Sequence, residues 1–166
     1  MPSVNVLPGS GNVIGGQGVA VKTWGARPAD RVLLQPSGVK MALGENPKRV
    51  YGSKKKTPST RLGNAAKMRE AFVQARTYRQ KRDRDEGERD LRWEILTDVL
   101  DGKFPARCHA HRADDILTAL RISREIGNRR GESWLLADMG LFYHNRGEDD
   151  RAVTFSRQAL ALVRIC

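Results

Sequence analysis

Through the first 43 positions the apolar residues come in short blocks or in alternation with polar ones, a period that suits strands. Ser3-Val4-Asn5-Val6-Leu7 predicts a short strand ending at Pro8. Val19–Trp24 predicts a second, Val32-Leu33-Leu34 a third, and Gly38–Leu43 a fourth that stops at Gly44. Gly9-Ser10-Gly11 and Gly15-Gly16-Gln17-Gly18 read as turns between them. A loop rich in Pro, Lys, Ser and Thr is expected from Glu45 to Ser59.

At residue 60 the period changes. Leu62, Ala65, Ala66, Arg69, Phe72 and Val73 follow helical spacing, with Thr60 or Ser59 placed to cap the first turn. The mixed-charge run Arg79–Glu86 predicts a solvated helix end and loop. Leu91, Ile95, Leu96, Val99 and Leu100 predict a second helix, stopped by Asp101-Gly102. After Pro105, Ala106–His111 is short enough for a strand, and Asp114 is expected to cap a helix carrying Ile116, Leu117, Leu120 and Ile122 up to Gly127. Strands followed by helices, without hairpin spacing, predict an α/β fold.

The tail shows internal similarity. Ala119–Arg124 aligns with Ala159–Arg164 at a spacing of 40, and two helical patterns lie between them, separated by Asn145-Arg146-Gly147-Glu148. One carries Leu136, Met139, Gly140 and Tyr143, the other Ala152, Phe155, Ala159 and Leu160. This is a helix–turn–helix unit of repeat type.

Composition adds a bias towards basic residues. The 166-residue chain has a formal net charge of +11, and its first 61 positions hold ten basic residues against two acidic. Lys48, Arg49, Lys54, Lys55, Lys56 and Arg61 carry the excess. Such a loop can meet phosphates, but no nucleic-acid motif frames it, and a solvated loop is the favoured reading. No apolar run approaches the roughly 20 residues of a membrane span, and the first residues lack the basic and apolar regions of a signal peptide. Cys108 and Cys166 make no disulfide framework, so a reduced, cytoplasmic setting is expected.

Two candidate motifs carry chemistry. Gly9–Gly16 has glycines at GxGxxxG spacing and is followed by β pattern, so it does not match the loop that presents a helix N-terminus to a pyrophosphate. Cys108-His109-Ala110-His111-Arg112-Ala113-Asp114-Asp115 is denser. On a strand, alternation sends His109 and His111 to one face, which suits metal binding or proton transfer. The alternative is one buried, hydrogen-bonded histidine and one surface histidine. Asp114 and Asp115 fit a helix N-terminus better than a catalytic pair.

Four ordered segments carry a resemblance: Val4–Gly18, Lys40-Met41-Ala42-Leu43-Gly44-Glu45-Asn46-Pro47-Lys48, Thr57–Gly63 and His109-Ala110-His111-Arg112-Ala113-Asp114-Asp115-Ile116. Over residues 3–126 the chain resembles bacterial amidohydrolases, metal-dependent hydrolases related to imidazolonepropionase. The resemblance implies a distorted (β/α)₈ barrel that hydrolyses C–N bonds of a small-molecule amide with one or two divalent metals, usually zinc. It implies that His109 is the fifth-strand metal ligand with His111 its alternate. It also implies that Lys40 stands at the fourth-strand bridging position, with Glu45 the second choice. Catalytic residues beyond these metal positions are not assigned. The family's first-strand HxH, sixth-strand histidine and eighth-strand aspartate have no match here, and 166 residues fall short of the about 250 of such a barrel. The expectation is a truncated, catalytically incomplete fragment.

From Ala119 onward, Gly127–Glu132, Gly140, Tyr143, Gly147-Glu148, Ala152 and Ala159-Leu160 resemble a tetratricopeptide repeat. Gly140 and Ala152 match the positions where paired helices approach closely. Ser156 departs from the usual aromatic, with Phe155 beside it placed to compensate. The expected organisation is an incomplete (β/α) TIM-barrel-like fragment, residues 1–126, followed by a tetratricopeptide-type helical hairpin, residues 127–166, with repeat similarity starting near residue 119. The hairpin implies a protein partner.

Overall fold

In a computed structural model, residues 2–163 are described; Arg164 and Cys166, which entered the sequence reading, lie outside the described residues. The elements run β1 (Ser3–Val6), β2 (Ile14–Gln17), β3 (Val19–Lys22), α1 (Pro28–Arg31), β4 (Val32–Leu34), β5 (Val39–Ala42), α2 (Glu45–Ser53), α3 (Arg61–Arg82), α4 (Leu91–Leu100), β6 (Ala106–His109), α5 (Ala113–Glu125), α6 (Arg129–His144) and α7 (Asp149–Val163). They form two compact units, residues 1–112 and 113–166.

The first unit holds two three-stranded sheets, in the orders β1-β3-β4 and β2-β5-β6. The first sheet is antiparallel throughout. In the second, β2 runs antiparallel to β5, while β5 and β6 are parallel with Lys40 opposite Arg107 and Ala42 opposite His109. A parallel pair needs a crossover connection, and α2, α3 and α4 supply it. Helix α4 packs on β5, and α3 packs on both α4 and α2. The core of this unit therefore includes Val39, Met41, Ala42 and Leu43 from the strand region, and Met68, Phe72, Leu96 and Val99 from the helices.

Most predicted elements form for the reasons their sequence suggests. Thr60 caps α3, its Oγ1 accepting from the Gly63 amide at 3.0 Å, and thereby satisfies one of the first-turn donors. Helix α4 ends where Gly102 adopts φ 72°, a conformation glycine reaches without strain. Helix α3 stops at Arg82 inside the mixed-charge run.

Three local expectations are corrected. Glu45–Ser53 is a helix rather than loop: Pro47 sits in the first turn, where its missing N–H has no intrahelical partner to lose. Gly15 and Gly16 lie in β2 rather than in a turn, at a register shift opposite Lys40 and Met41. Strand β6 ends at His109, so His111 lies just beyond it, and α5 begins at Ala113 with Asp114 and Asp115 inside its first turn.

In the second unit α6 and α7 form an antiparallel hairpin with α5 packed on α6. Leu120, Leu136 and Ala159 are buried together, with Leu135, Met139, Phe155 and Leu162 against them. A Cβ on Gly140 would lie 2.6 Å from Ser156 Oγ and 3.2 Å from the Ala152 carbonyl, so the helices cross there with no room for a side chain. Phe155 stacks on Tyr143 with ring centroids 5.3 Å apart, while Ser156 keeps the crossing small. The two copies of the internal similarity differ: Ala119 and Ala159 are both buried, but Leu120 is buried and Leu160 exposed.

Candidate functional site

The parallel pair β5–β6 places the sequence-predicted residues together. Strand alternation and register put Lys40, Ala42 and His109 on one face, with Val39 and Met41 on the other. The stem of Lys40 runs beside Gly15 of β2, whose hypothetical Cβ would stand 3.5 Å from Lys40 Cγ. His109 closes the C-terminal end of β6, the end at which ligand sites of open α/β sheets collect. The His111 ring meets that of His109 edge-on, with centroids 4.3 Å apart and planes at 79°.

Two side chains outside the predicted set complete the cluster. Asn46, in the first turn of α2, has its amide nitrogen 3.1 Å from His109 Nε2 and 2.7 Å from Ser10 Oγ. Ser10 stands in the turn between β1 and β2. The start of α2 is held in turn by α3: the buried Asn64 donates from Nδ2 to the Gly44 carbonyl at 3.0 Å, and Gly44 takes φ 81°. The Oδ1 atom of Asn64 is buried without a protein partner. Burial disfavours the charged imidazole of His109, and the neighbouring His111 and Lys40 charges add to this, so its pKa lies below the ordinary histidine value.

Glu45 faces cations instead of the imidazoles, with Lys48 at 3.4 Å and Arg61 at 3.2 Å. Asp114 and Asp115 lie at the start of α5, where the helix dipole favours acids. A zinc centre needs three or four protein donors. Among the described residues no three of His, Cys, Asp and Glu gather in a group that could hold a metal ion. Two imidazoles and one amine do not fit a complete metal centre, though a neutral His109 keeps the protonation state a ligand needs.

Two concavities are lined by other residues. In the first unit a cleft of about 300 Å³ is lined by Val13, Ile14, Tyr51, Pro58, Ala71 and Trp93. In the second unit a groove of about 600 Å³ runs along α6 and α7 past Gly140, Leu141, Val153 and Leu160. Neither is lined by Lys40, His109 or His111.

Asn46 and Ser10 escaped the sequence reading although both fall within segments that carry the resemblance. Their partners lie 63 and 36 residues from Asn46 along the chain. No local period encodes such a meeting. The available signal was Pro47, which marks a helix start and so would have put Asn46 in a first turn facing a strand end.

No family model matches the chain. It is 43% identical to an amidohydrolase of known structure from Thermotoga maritima MSB8, with a TM-score of 0.74, over 82% of this chain and 39% of that one. It is 31% identical to the amidohydrolase tasK of Hapsidospora irregularis, over 72% of this chain and 15% of that protein. The chain spans well under half of either relative. No helix among the described residues is long and apolar enough to cross a membrane. In sequence and in fold, this chain is a homologue of part of proteins named amidohydrolases.

Proposed function

We propose that the chain forms one side of an amidohydrolase site that cleaves a C–N bond, related to the imidazolonepropionase group, and that by itself it is catalytically incomplete. The observation that carries this reading is the position of Lys40, within β5, and His109, at the end of β6, on one face of the parallel pair, within a chain 43% identical to an amidohydrolase. The crossover through α2, α3 and α4 supports a (β/α) barrel architecture for the larger fold. In a complete site a divalent metal, expected to be zinc, would supply an activated water. Here His109 and His111 offer two nitrogen donors, and Lys40 places an amine beside them.

The test is zinc binding by the full chain, alone and with His109→Ala and His111→Ala. Weak uptake that falls on either substitution, without chelator-sensitive amide hydrolysis, is expected. About one tightly held zinc per chain with hydrolysis abolished by chelation would overturn the incompleteness. Uptake indifferent to both histidines would overturn the site.

A second reading, protein contact through a tetratricopeptide-type hairpin, is favoured by the α6–α7 groove and the exposure of Leu141, Phe142, Val153 and Leu160. A single repeat cannot bury its core alone. Residues 127–166 expressed separately should therefore melt without cooperativity, and a cooperative melt followed by circular dichroism would contradict the repeat reading.

A further inference from the structure

We propose that Asn46 is the positioning residue of His109, and that the Ser10–Asn46–His109 chain decides which ring nitrogen of His109 carries the proton. A carboxamide nitrogen has two hydrogens and no lone pair to offer. Asn46 Nδ2 lies 2.7 Å from Ser10 Oγ and 3.1 Å from His109 Nε2, so each hydrogen has one acceptor. Nε2 must then present its lone pair to the amide, and the neutral ring carries its proton on Nδ1.

The geometry is fixed from three sides. Asn46 is in the first turn of α2, whose start is tied to α3 by the hydrogen bond from Asn64 to Gly44. Ser10 belongs to the β1–β2 turn, and His109 is held in register with Ala42 on β5. Turning the amide over would put Oδ1 in both contacts, accepting from the Ser10 hydroxyl and from a protonated Nε2, so the orientation of the carboxamide and the tautomer of His109 are one coupled choice. The consequence is chemical: a ligand that needs the Nε2 lone pair has to displace Asn46, and the carboxamide is then free to keep Ser10 alone. This inference rests on His109 being a site residue, as read above, but its readout involves neither metal nor hydrolysis.

The experiment is the long-range ¹H–¹⁵N spectrum of the imidazoles in the full chain, with chelator present at about pH 8, where a histidine ring is neutral. The His109 signals are assigned by their loss in His109→Gln. The wild type should show Nδ1 protonated and Nε2 bare. Asn46→Asp has the same shape but offers only acceptors, so Nε2 should become protonated. Asn46→Ala should lower the Nδ1–H to Nε2–H ratio roughly three- to tenfold, the worth of one ordinary hydrogen bond. A proton on Nε2 in the wild type, or unchanged His109 signals in Asn46→Asp, would sink the proposal. Should Asn46→Ala fail to fold, the isosteric Asn46→Asp alone decides it. A merely structural Asn46 would alter melting while leaving the ring proton where it is.

Discussion

In the β2-β5-β6 sheet, Val39, Met41 and Ala42 are fully buried; in the β1-β3-β4 sheet, Val32, Leu33 and Leu34 are exposed, and so are Val4 and Val6. Both sheets have three short strands and both belong to the same unit, yet the exposed β1-β3-β4 sheet is the more apolar of the two in sequence. The difference lies in the connections. After β5 the chain runs through α2, α3 and α4 before returning as β6, and α4 lies on β5. Between β3 and β4 there is only the four-residue α1, too short to cover a sheet face. Apolar alternation therefore specifies a strand, and a covering layer specifies burial. The chemistry follows the covered sheet: Lys40, within β5, and His109, at the end of β6, stand on one face of a hydrogen-bonded parallel pair, which is what a site needs to hold side chains in place.

The sharpest way to break this comparison is to truncate one apolar side chain in each sheet. Met41 is 1% exposed and Leu34 56%. Met41→Ala should cost about 2–5 kcal/mol, since it leaves a cavity in a packed layer. Leu34→Ala should stay within about 0.5 kcal/mol. Urea denaturation of the two variants checks the pair, and equal losses would mean the β1-β3-β4 sheet is covered in solution.

A smaller effect is expected at the junction of β5 and β6. Gly38 adopts φ 147°, and a Cβ there would meet the Pro105 carbonyl at 2.7 Å and Arg107 Nε at 3.1 Å. Gly38→Ala should cost about 1–3 kcal/mol, because backbone strain and a backbone contact must both be relieved. A variant as stable as the wild type would show that the parallel pairing is looser than its register implies. Thr60→Ala should cost less, about 1 kcal/mol, by removing the cap of α3. Since α3 supports the covering helices and the start of α2, the same variant should also broaden the Asn46 side-chain amide signals. Unchanged signals would separate helix stability from the site.

What was legible in the sequence tracks how local each cause is. The Thr60 cap, the stop at Gly102 and the α6–α7 turn at Gly147 are set by residues within a few positions, and all were readable. Helix α2 was not, because the Pro-, Lys-, Ser- and Thr-rich composition of residues 45–59 matches a loop, whereas Pro47 in the first turn of a helix is harmless. Gly15 and Gly16 read as turn because glycine says nothing about pairing, and only β5 alongside makes them a strand. Lys40 and His109 were found by residue type and motif. Asn46 and Ser10 were missed because only the tertiary register brings them to the imidazole. The exposure of β4 was equally hidden, since nothing in Val32-Leu33-Leu34 records the absence of a covering helix.

The smallest expected effect belongs to the covered sheet alone. The pKa of His109 is lowered by burial first, then by His111 and Lys40. In the unfolded chain the ring should titrate near the ordinary value of about 6.5. Between that pH and the lower folded value the unfolded state binds more protons than the folded one. Stability therefore rises with pH through this window and is lost as pH falls from about 6.5 through the folded value. Urea midpoints measured across the window should climb with pH in the wild type and climb less in His109→Gln. Leu34→Ala, in the uncovered sheet, should keep the wild-type slope. If His109→Gln keeps it too, the acid sensitivity of the fold arises elsewhere. Burial at the end of β6 would then leave the imbalance in proton binding unexplained.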